Sequence, residues 1–197
     1  ELSPAKRALL EKWLRGQKNE DVNSIVQRPP NSPIPLSFPQ QRQLFLEMLE
    51  RGTAVNNLSV FLELRGRLDP VALEQSTHQI VARHDALRTR FSFGTGVPAP
   101  EILEDVKIPL SSADLRQVGA ADQADAARRM AEQAVLKPFD LTQAPLIRLQ
   151  LYILSEEVHR LLVVVHHTIA DGWSLGVFLR ELLAHYQAIA LDAPLQL

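Results

Sequence analysis

Apolar and polar positions along the chain predict helices and strands in alternation. Residues 160–165, RLLVVV, form a run whose length and β-branching are typical of a buried strand. A polar turn, residues 166–172, follows this run. An apolar stripe at helical spacing then begins at Leu175, so the sequence predicts a helix with Ser174 as its N-cap.

The other patterns add further elements on the N-terminal side of this strand. Helices are predicted to begin at Ser37-Pro39 and at Asp69-Pro70, and residues 120–136 predict an alanine-rich helix. Strands are predicted over residues 57–64, 88–93, 146–154 and 158–166, and one or two short strands over residues 102–110. Helices that alternate with strands indicate an α/β sandwich.

The first 35 residues differ in character from the rest. Residues 1–16 predict an amphipathic helix that opens at Ser3-Pro4 and ends at Gly16. Residues 17–35 are polar and rich in proline, which is typical of an extended linker. We therefore expect a docking or interdomain helix at 1–16, a linker at 17–35 and a domain over 36–197.

Composition narrows the possible functions. The chain has 21 Lys plus Arg and 23 Asp plus Glu, and this near-neutral balance gives no support to binding of nucleic acid or an anionic membrane. It has no cysteine, which excludes disulfides, thiol catalysis and cysteine-ligated metal. No apolar run approaches the roughly 20 residues that span a bilayer, and there is no signal-peptide core. A cytoplasmic protein is expected.

The polar turn contains the candidate functional residues His166, His167, Asp171 and Gly172. They follow a strand end, where protein scaffolds tend to present chemistry. If the strand continues through the histidine pair, the two imidazoles point to opposite faces, so one packs and the other acts. The adjacent Trp173 is expected in the core. The remaining histidines show no metal-ligand spacing, so no metal site is predicted.

These residues resemble the His-His-x-x-x-Asp-Gly signature of the condensation domains of nonribosomal peptide synthetases. Residues 37–46, SFPQQRQLFL, resemble the family's opening Ser-x-Ala-Gln-x-Arg-Leu-Trp-x-Leu motif, although Pro39 replaces Ala and Gln43-Leu44 replaces Leu-Trp. Residues 83–91, RHDALRTRF, resemble its Arg-His-x-x-Leu-Arg-Thr-x-Phe motif. Residues 138–141, PFDL, resemble the segment that precedes the signature strands. The motifs stand in the family's order.

The resemblance implies an α/β fold, specifically a chloramphenicol-acetyltransferase-like α/β sandwich lobe. A condensation domain has two such lobes, and we expect this chain to be the N-terminal one, with its surface for the C-terminal lobe uncovered and prone to self-association. The implied activity is amide-bond formation between a donor acyl or peptidyl thioester and the amine of an acceptor aminoacyl thioester. The implied partners are the donor and acceptor carrier domains, whose 4'-phosphopantetheine arms hold the substrates, the C-terminal lobe and an adjacent adenylation domain. No cofactor bound directly by the lobe is implied.

The resemblance also implies roles for the residues of the turn. It assigns catalysis to His167, with His166 in support. It gives Asp171 a structural salt bridge with an arginine, for which Arg88 is the first candidate and Arg83 the second. A role for Asp171 in orienting His167, as in a catalytic triad, is the alternative. We expect Gly172 to adopt a positive φ in a tight turn.

Other functions remain open on the sequence alone. An epimerisation domain shares the histidine signature, and an acyl-CoA-dependent acyltransferase shares a shorter form of it on a related fold. The doubled histidine and residues 83–91 argue against the acyltransferase. A non-catalytic module that binds carrier domains or docks a neighbour is the third alternative.

Overall fold

A computed structural model of the protein describes residues 29, 32–49, 52–94 and 98–195. The predicted helix of residues 1–16 and most of the predicted linker lie outside the described residues. The helices and strands belong to one compact unit, Ile34–Leu197. In chain order they are α1 (Phe38–Leu49), β1 (Asn57–Arg65), α2 (Pro70–Arg83), a 3₁₀ turn (Asp85–Arg88), β2 (Thr89–Ser92), β3 (Ala99–Ile102), β4 (Leu110–Asp114), α3 (Ala120–Val135), β5 (Ile147–Ile153), β6 (Val158–His166) and α4 (Gly172–Ala190).

Four of these strands form one sheet, in the order β1-β6-β5-β4. Strand β6 is central and runs antiparallel to both β1 and β5, whereas β4 runs parallel to β5. The register places Asn57 opposite His166, so the end of β6 meets the beginning of β1. Strands β2 and β3 form a separate antiparallel pair. The mixture of helices and sheet confirms the predicted α/β class.

Both faces of the sheet are covered by helices, which explains why residues 161–165 of β6 are all apolar rather than alternating with polar residues. On one face, Leu161, Val163 and Val165 pack with residues of α2 and α4. On the other face, Leu162 and Val164 pack with the buried alanines of α3 and with α1. Side chains alternate between these two cores along the strand, and this alternation decides where each histidine at its end points.

Helix α1 leaves most of its large apolar side chains exposed. Leu44 is fully buried, but Phe38, Phe45 and Leu49 are exposed. Its N-terminus follows the sequence signal, because Ser37 Oγ accepts a hydrogen bond from the backbone N–H of Gln40. The helix therefore presents an apolar outer surface in the described part of the chain.

The prediction of one or two short strands over residues 102–110 is wrong in their position. Strand β3 ends at Ile102 and β4 begins at Leu110, and the segment between them has no regular structure. Ile108 is nevertheless almost completely buried, in the same core as α2 and α4. Its apolar character reflects this packing rather than a strand.

None of the helices in the described residues is both long and apolar enough to cross a membrane.

Candidate active site

The turn after β6 is held by backbone hydrogen bonds at both of its histidines. The N–H of His166 donates to the carbonyl of Leu146 on the β5 side, and the N–H of His167 donates to the carbonyl of Asn56 on the β1 side. The N–H of Ile169 donates to the carbonyl of His166 at 3.1 Å and closes the turn. The position of both imidazoles therefore depends on the two strands that flank β6.

His166 is a packed core residue. Only 1% of it is exposed, and its ring lies edge-on to Phe139, with the centroids 6.1 Å apart. Its Nδ1 lies 2.8 Å from Thr168 Oγ1 and accepts the Thr168 backbone N–H at 3.3 Å. Burial, and to a smaller extent the charge of His167, lower the pKa of His166 to about 4. His166 is therefore neutral near pH 7 and takes part in the fold.

His167 is half-buried and has a fixed orientation. Its Nδ1 lies 2.9 Å from the carbonyl oxygen of Ala170. A carbonyl oxygen can only accept, so Nδ1 carries the hydrogen in this arrangement and Nε2 of the neutral ring carries the lone pair. Among the described residues, Nε2 has no hydrogen-bond partner. The arrangement presents a proton acceptor whose tautomer is set by the backbone.

Asp171 is the N-cap of α4, which corrects the prediction that Ser174 has this role. Its Oδ1 accepts hydrogen bonds from the backbone N–H of Ser174 at 2.8 Å and from the Ser174 hydroxyl at 2.6 Å. The Ser174 hydroxyl, and then the Ser174 amide, hold the pKa of Asp171 below its usual value. The triad alternative is not formed, since the ring of His167 is held by Ala170 instead.

Arg88 does not pair with Asp171 in the structure, so the predicted ion pair is wrong. Its guanidinium donates to the carbonyls of Val81 and Leu103 and to the Asp85 carboxylate at 2.5 Å. Among the described residues, no arginine forms a salt bridge with Asp171. Arg88 instead connects the end of α2 to the 3₁₀ turn and to the segment after β3.

Arg83, the second candidate, faces α4 rather than the turn. Its Nε lies 3.8 Å from Oε1 of Glu181, and His84 Nε2 lies 2.7 Å from Oε2 of the same carboxylate. The Glu181 side chain is largely buried, so these contacts link α2 to α4 behind the turn. Glu181 could not be found from the sequence, because its partners lie about a hundred residues away and leave no local pattern.

Gly172 and Trp173 also depart from prediction. Gly172 is the first residue of α4 and does not have a positive φ; in the described residues the glycines that do are Gly52 and Gly66. Apart from its chain neighbours and the backbone of α4, no atom lies within 4 Å of the position that a Cβ of Gly172 would occupy. Trp173 is 80% exposed rather than part of the core. The start of α4 thus faces open space.

A mostly apolar cavity of about 190 Å³ lies beside the turn, and its walls include Ile169, Ala170, Trp173 and Val177. The peptide carbonyl of Ala170 that orients His167 belongs to a residue of this wall. The turn also receives a side chain that the sequence analysis did not select: Gln40 Nε2 donates to the carbonyl of Thr168 at 3.0 Å.

This α/β architecture is that of solved condensation domains. The starter condensation domain of the rhizomide synthetase RzmA superposes with a TM-score of 0.77 at 20% identity, over 84% of this chain and 40% of that one. The structure described as a complex of the X-domain and OxyB from teicoplanin biosynthesis matches with a TM-score of 0.70 at 34% identity, over 87% of this chain and 36% of that one.

Sequence comparison shows the family. The model of the condensation domain matches residues 31–197. The phosphinothricin tripeptide synthetase PhsC of Streptomyces viridochromogenes is 36% identical over an alignment of 198 residues, which covers 98% of this chain and 18% of that protein. The chain belongs to the condensation-domain family of nonribosomal peptide synthetases, the domains that form amide bonds. It spans less than half the length of the solved domains and a small part of the synthetase.

Proposed function

We propose that this chain contributes the catalytic histidine to amide-bond formation between two carrier-bound thioesters. The observation that carries the proposal is the orientation of His167: its Nδ1–H is bound to Ala170, which leaves Nε2 with the lone pair. His166 is neutral and buried, and so it does not compete for the proton. His167 is therefore the base at this turn, and His166 holds the turn in place.

The reaction follows from this geometry. The amine nitrogen of the acceptor attacks the thioester carbonyl of the donor, a C–N bond forms, and His167 Nε2 accepts a proton from the amine as the tetrahedral species develops. The C–S bond then breaks, and the sulfur leaves as a thiolate that recovers the proton. An α-amine of pKa about 8 is already roughly a quarter neutral at pH 7.5, so initial deprotonation costs under about 1 kcal/mol. Holding two tethered substrates in line contributes more.

The site also requires parts that this chain does not supply. The carrier domains deliver both substrates on phosphopantetheine arms, and an adenylation domain of the same cytoplasmic synthetase loads a carrier. The solved domains are more than twice as long as the segment matched here, which supports a second lobe as the remaining wall of the site. The exposed Trp173 and the outer side of α1, with Phe38 and Phe45, are apolar surfaces suited to such a partner. We expect the 197-residue chain alone to be inactive and to self-associate.

The test is His167→Ala in the intact condensation domain, assayed in a single turnover with both carriers loaded. We expect condensation to fall at least a hundredfold, within the usual range for loss of a general base, while the melting temperature stays close to that of the parent. His78→Ala is the matched control, because His78 is half-buried and makes one 3.3 Å contact with Ile108, away from the turn. Retained condensation in His167→Ala would contradict the role of His167 as the catalytic base.

One observation favours a second candidate, a module that binds another protein without catalysis. The match at 34% identity is to a chain of a complex between an X-domain and OxyB. A domain of this fold therefore occurs in a complex with another protein. If His167→Ala leaves product formation by the whole synthetase unchanged while deletion of the domain abolishes it, the binding role is the better description.

A further inference from the structure

The side-chain amide of Gln40 forms hydrogen bonds with two different parts of the protein. Its Oε1 accepts the backbone N–H of Ser37 at 3.0 Å, while Ser37 Oγ accepts the Gln40 N–H. This reciprocal pair is a capping box at the start of α1. Its Nε2 donates to the carbonyl of Thr168 at 3.0 Å, although the two residues are 128 positions apart in the sequence. One side chain thus joins a helix start to the turn after β6.

Thr168 occupies the central position of that turn. Its side chain and its N–H contact Nδ1 of the buried His166, and its carbonyl receives Gln40. Two residues later, the carbonyl of Ala170 orients the imidazole of His167. In the part of the chain that the structure describes, Gln40 provides the only hydrogen bond from a side chain outside residues 166–171 to a backbone atom of these residues. It fixes the peptide between Thr168 and Ile169 from outside.

We infer that Gln40 is a positioning residue for His167, acting through the carbonyl of Thr168. The inference rests on the proposed catalytic role of His167. Without the Gln40 amide, the Thr168 carbonyl can turn toward solvent, and the peptides that follow it, including the one that orients His167, lose their fixed direction. Gln40 touches neither substrate nor His167, so its effect is on the fraction of time that the imidazole spends in the productive orientation.

The size of the effect follows from the strength of one neutral hydrogen bond. Such a bond contributes about 0.5 to 1.5 kcal/mol net, which corresponds to roughly a two- to tenfold change in an equilibrium constant. If turnover is proportional to the oriented fraction, kcat falls by a similar factor. The apparent KM for the loaded carriers should not change, because Gln40 does not lie on a surface proposed to bind them.

Gln40→Glu separates the two functions of the amide. A glutamate three residues after an N-cap serine is the other standard partner of a capping box, so the bond to the Ser37 N–H is retained. The carboxylate cannot donate to the Thr168 carbonyl, so only the second bond is lost. In the intact condensation domain we expect kcat to fall roughly two- to tenfold, with KM unchanged and the melting temperature lowered by a few degrees at most.

Two variants serve as controls. Gln41→Glu makes the same change of charge at the next position, where Gln41 Nε2 donates to the carbonyl of Leu36 and not to the turn. It should retain the parental kcat. Ser37→Ala weakens the helix cap but leaves the Gln40 amide in place, so it should lower the melting temperature without lowering kcat.

The 15N shifts of the His167 imidazole provide a readout that does not depend on turnover. We expect the parent to show the tautomer with hydrogen on Nδ1, and Gln40→Glu to show a mixture of the two tautomers. Parental kcat and shifts in Gln40→Glu, or equal losses of kcat in Gln41→Glu, would overturn the inference. If His167→Ala instead retains condensation, the proposed function fails, and the imidazole shifts of Gln40→Glu still decide whether Gln40 positions the ring.

Discussion

The two faces of the sheet give neighbouring histidines opposite chemical character. On the face covered by α1 and α3, His166 is buried against Phe139, whose ring lies 3.7 Å from the guanidinium carbon of Arg148. On the other side of the strand end, His167 is half-buried and its ring is held by a backbone carbonyl. The residue type is the same and the positions are adjacent. Burial and hydrogen-bond partners therefore decide which imidazole is structural and which can exchange a proton.

The largest effect should come from removing the packing on the His166 side. Phe139→Ala deletes a buried ring that contacts both His166 and Arg148, and we expect a loss of about 3 to 5 kcal/mol in the free energy of unfolding. Trp173→Ala removes an exposed ring on the His167 side and should change stability by less than about 0.5 kcal/mol in the chain alone. Urea denaturation of both variants measures the difference. Equal losses would show that the two sides do not differ in packing.

The next effect is a dependence of stability on pH that arises from His166. Its pKa is about 4 in the folded protein and about 6.5 in an unfolded chain, so the unfolded state binds the proton more readily. Neutral His166 therefore contributes fully to the stability of the folded state above about pH 6.5, and this contribution is lost as the pH falls toward 4. Between pH 7 and pH 5 the loss should be about 2 kcal/mol.

His166→Gln isolates this contribution, because the amide does not titrate in this range. The pKa of His159 is also lowered by burial, but it acts equally in both proteins and cancels in the difference. Denaturation curves at pH 7 and pH 5 for the two proteins provide the measurement. A variant with the parental pH dependence would show that His166 is not the titrating group.

The smallest of the three effects concerns Asp171. Loss of an N-cap costs about 1 kcal/mol, whereas breaking a buried ion pair costs about 3 to 5 kcal/mol. The structure therefore predicts that Asp171→Ala lowers stability by about 1 kcal/mol and that Asp171→Asn, which still caps, is close to the parent. Thermal denaturation distinguishes an N-cap from a buried ion pair. A loss of several kcal/mol in Asp171→Asn would contradict the N-cap role and support the ion pair.

The sequence predicted the elements whose signals are local. Strand β6 was predicted with its observed bounds, and the Asp69-Pro70 start of α2 is confirmed by the hydrogen bonds of the Asp69 carboxylate to the first turn. The family and its fold could also be recognised, because the motif residues are close together in sequence. The opposite environments of His166 and His167 followed from the two-residue period of a strand.

What could not be predicted depends on contacts between distant residues or on a choice between equivalent local signals. Asp171 and Ser174 are both good N-caps, and only the structure shows that the carboxylate accepts from the serine. The partners of Arg88 include the carbonyl of Leu103, and a backbone acceptor has no sequence signature. Trp173 lies on a helix with a strong apolar pattern, so its exposure could not be read from the residues around it.

The central place of β6 has a consequence for synthesis on the ribosome. Strand β1 pairs along its whole length with β6, and the stretch between Arg65 and Val158 must be translated before that partner exists. At about 5 to 20 residues per second, the interval lasts roughly 5 to 20 s. During this time β1 and the apolar faces of α2 and β5 have no complete sheet on which to pack. The turn with both histidines therefore forms late, after the last strand of the sheet has left the exit tunnel.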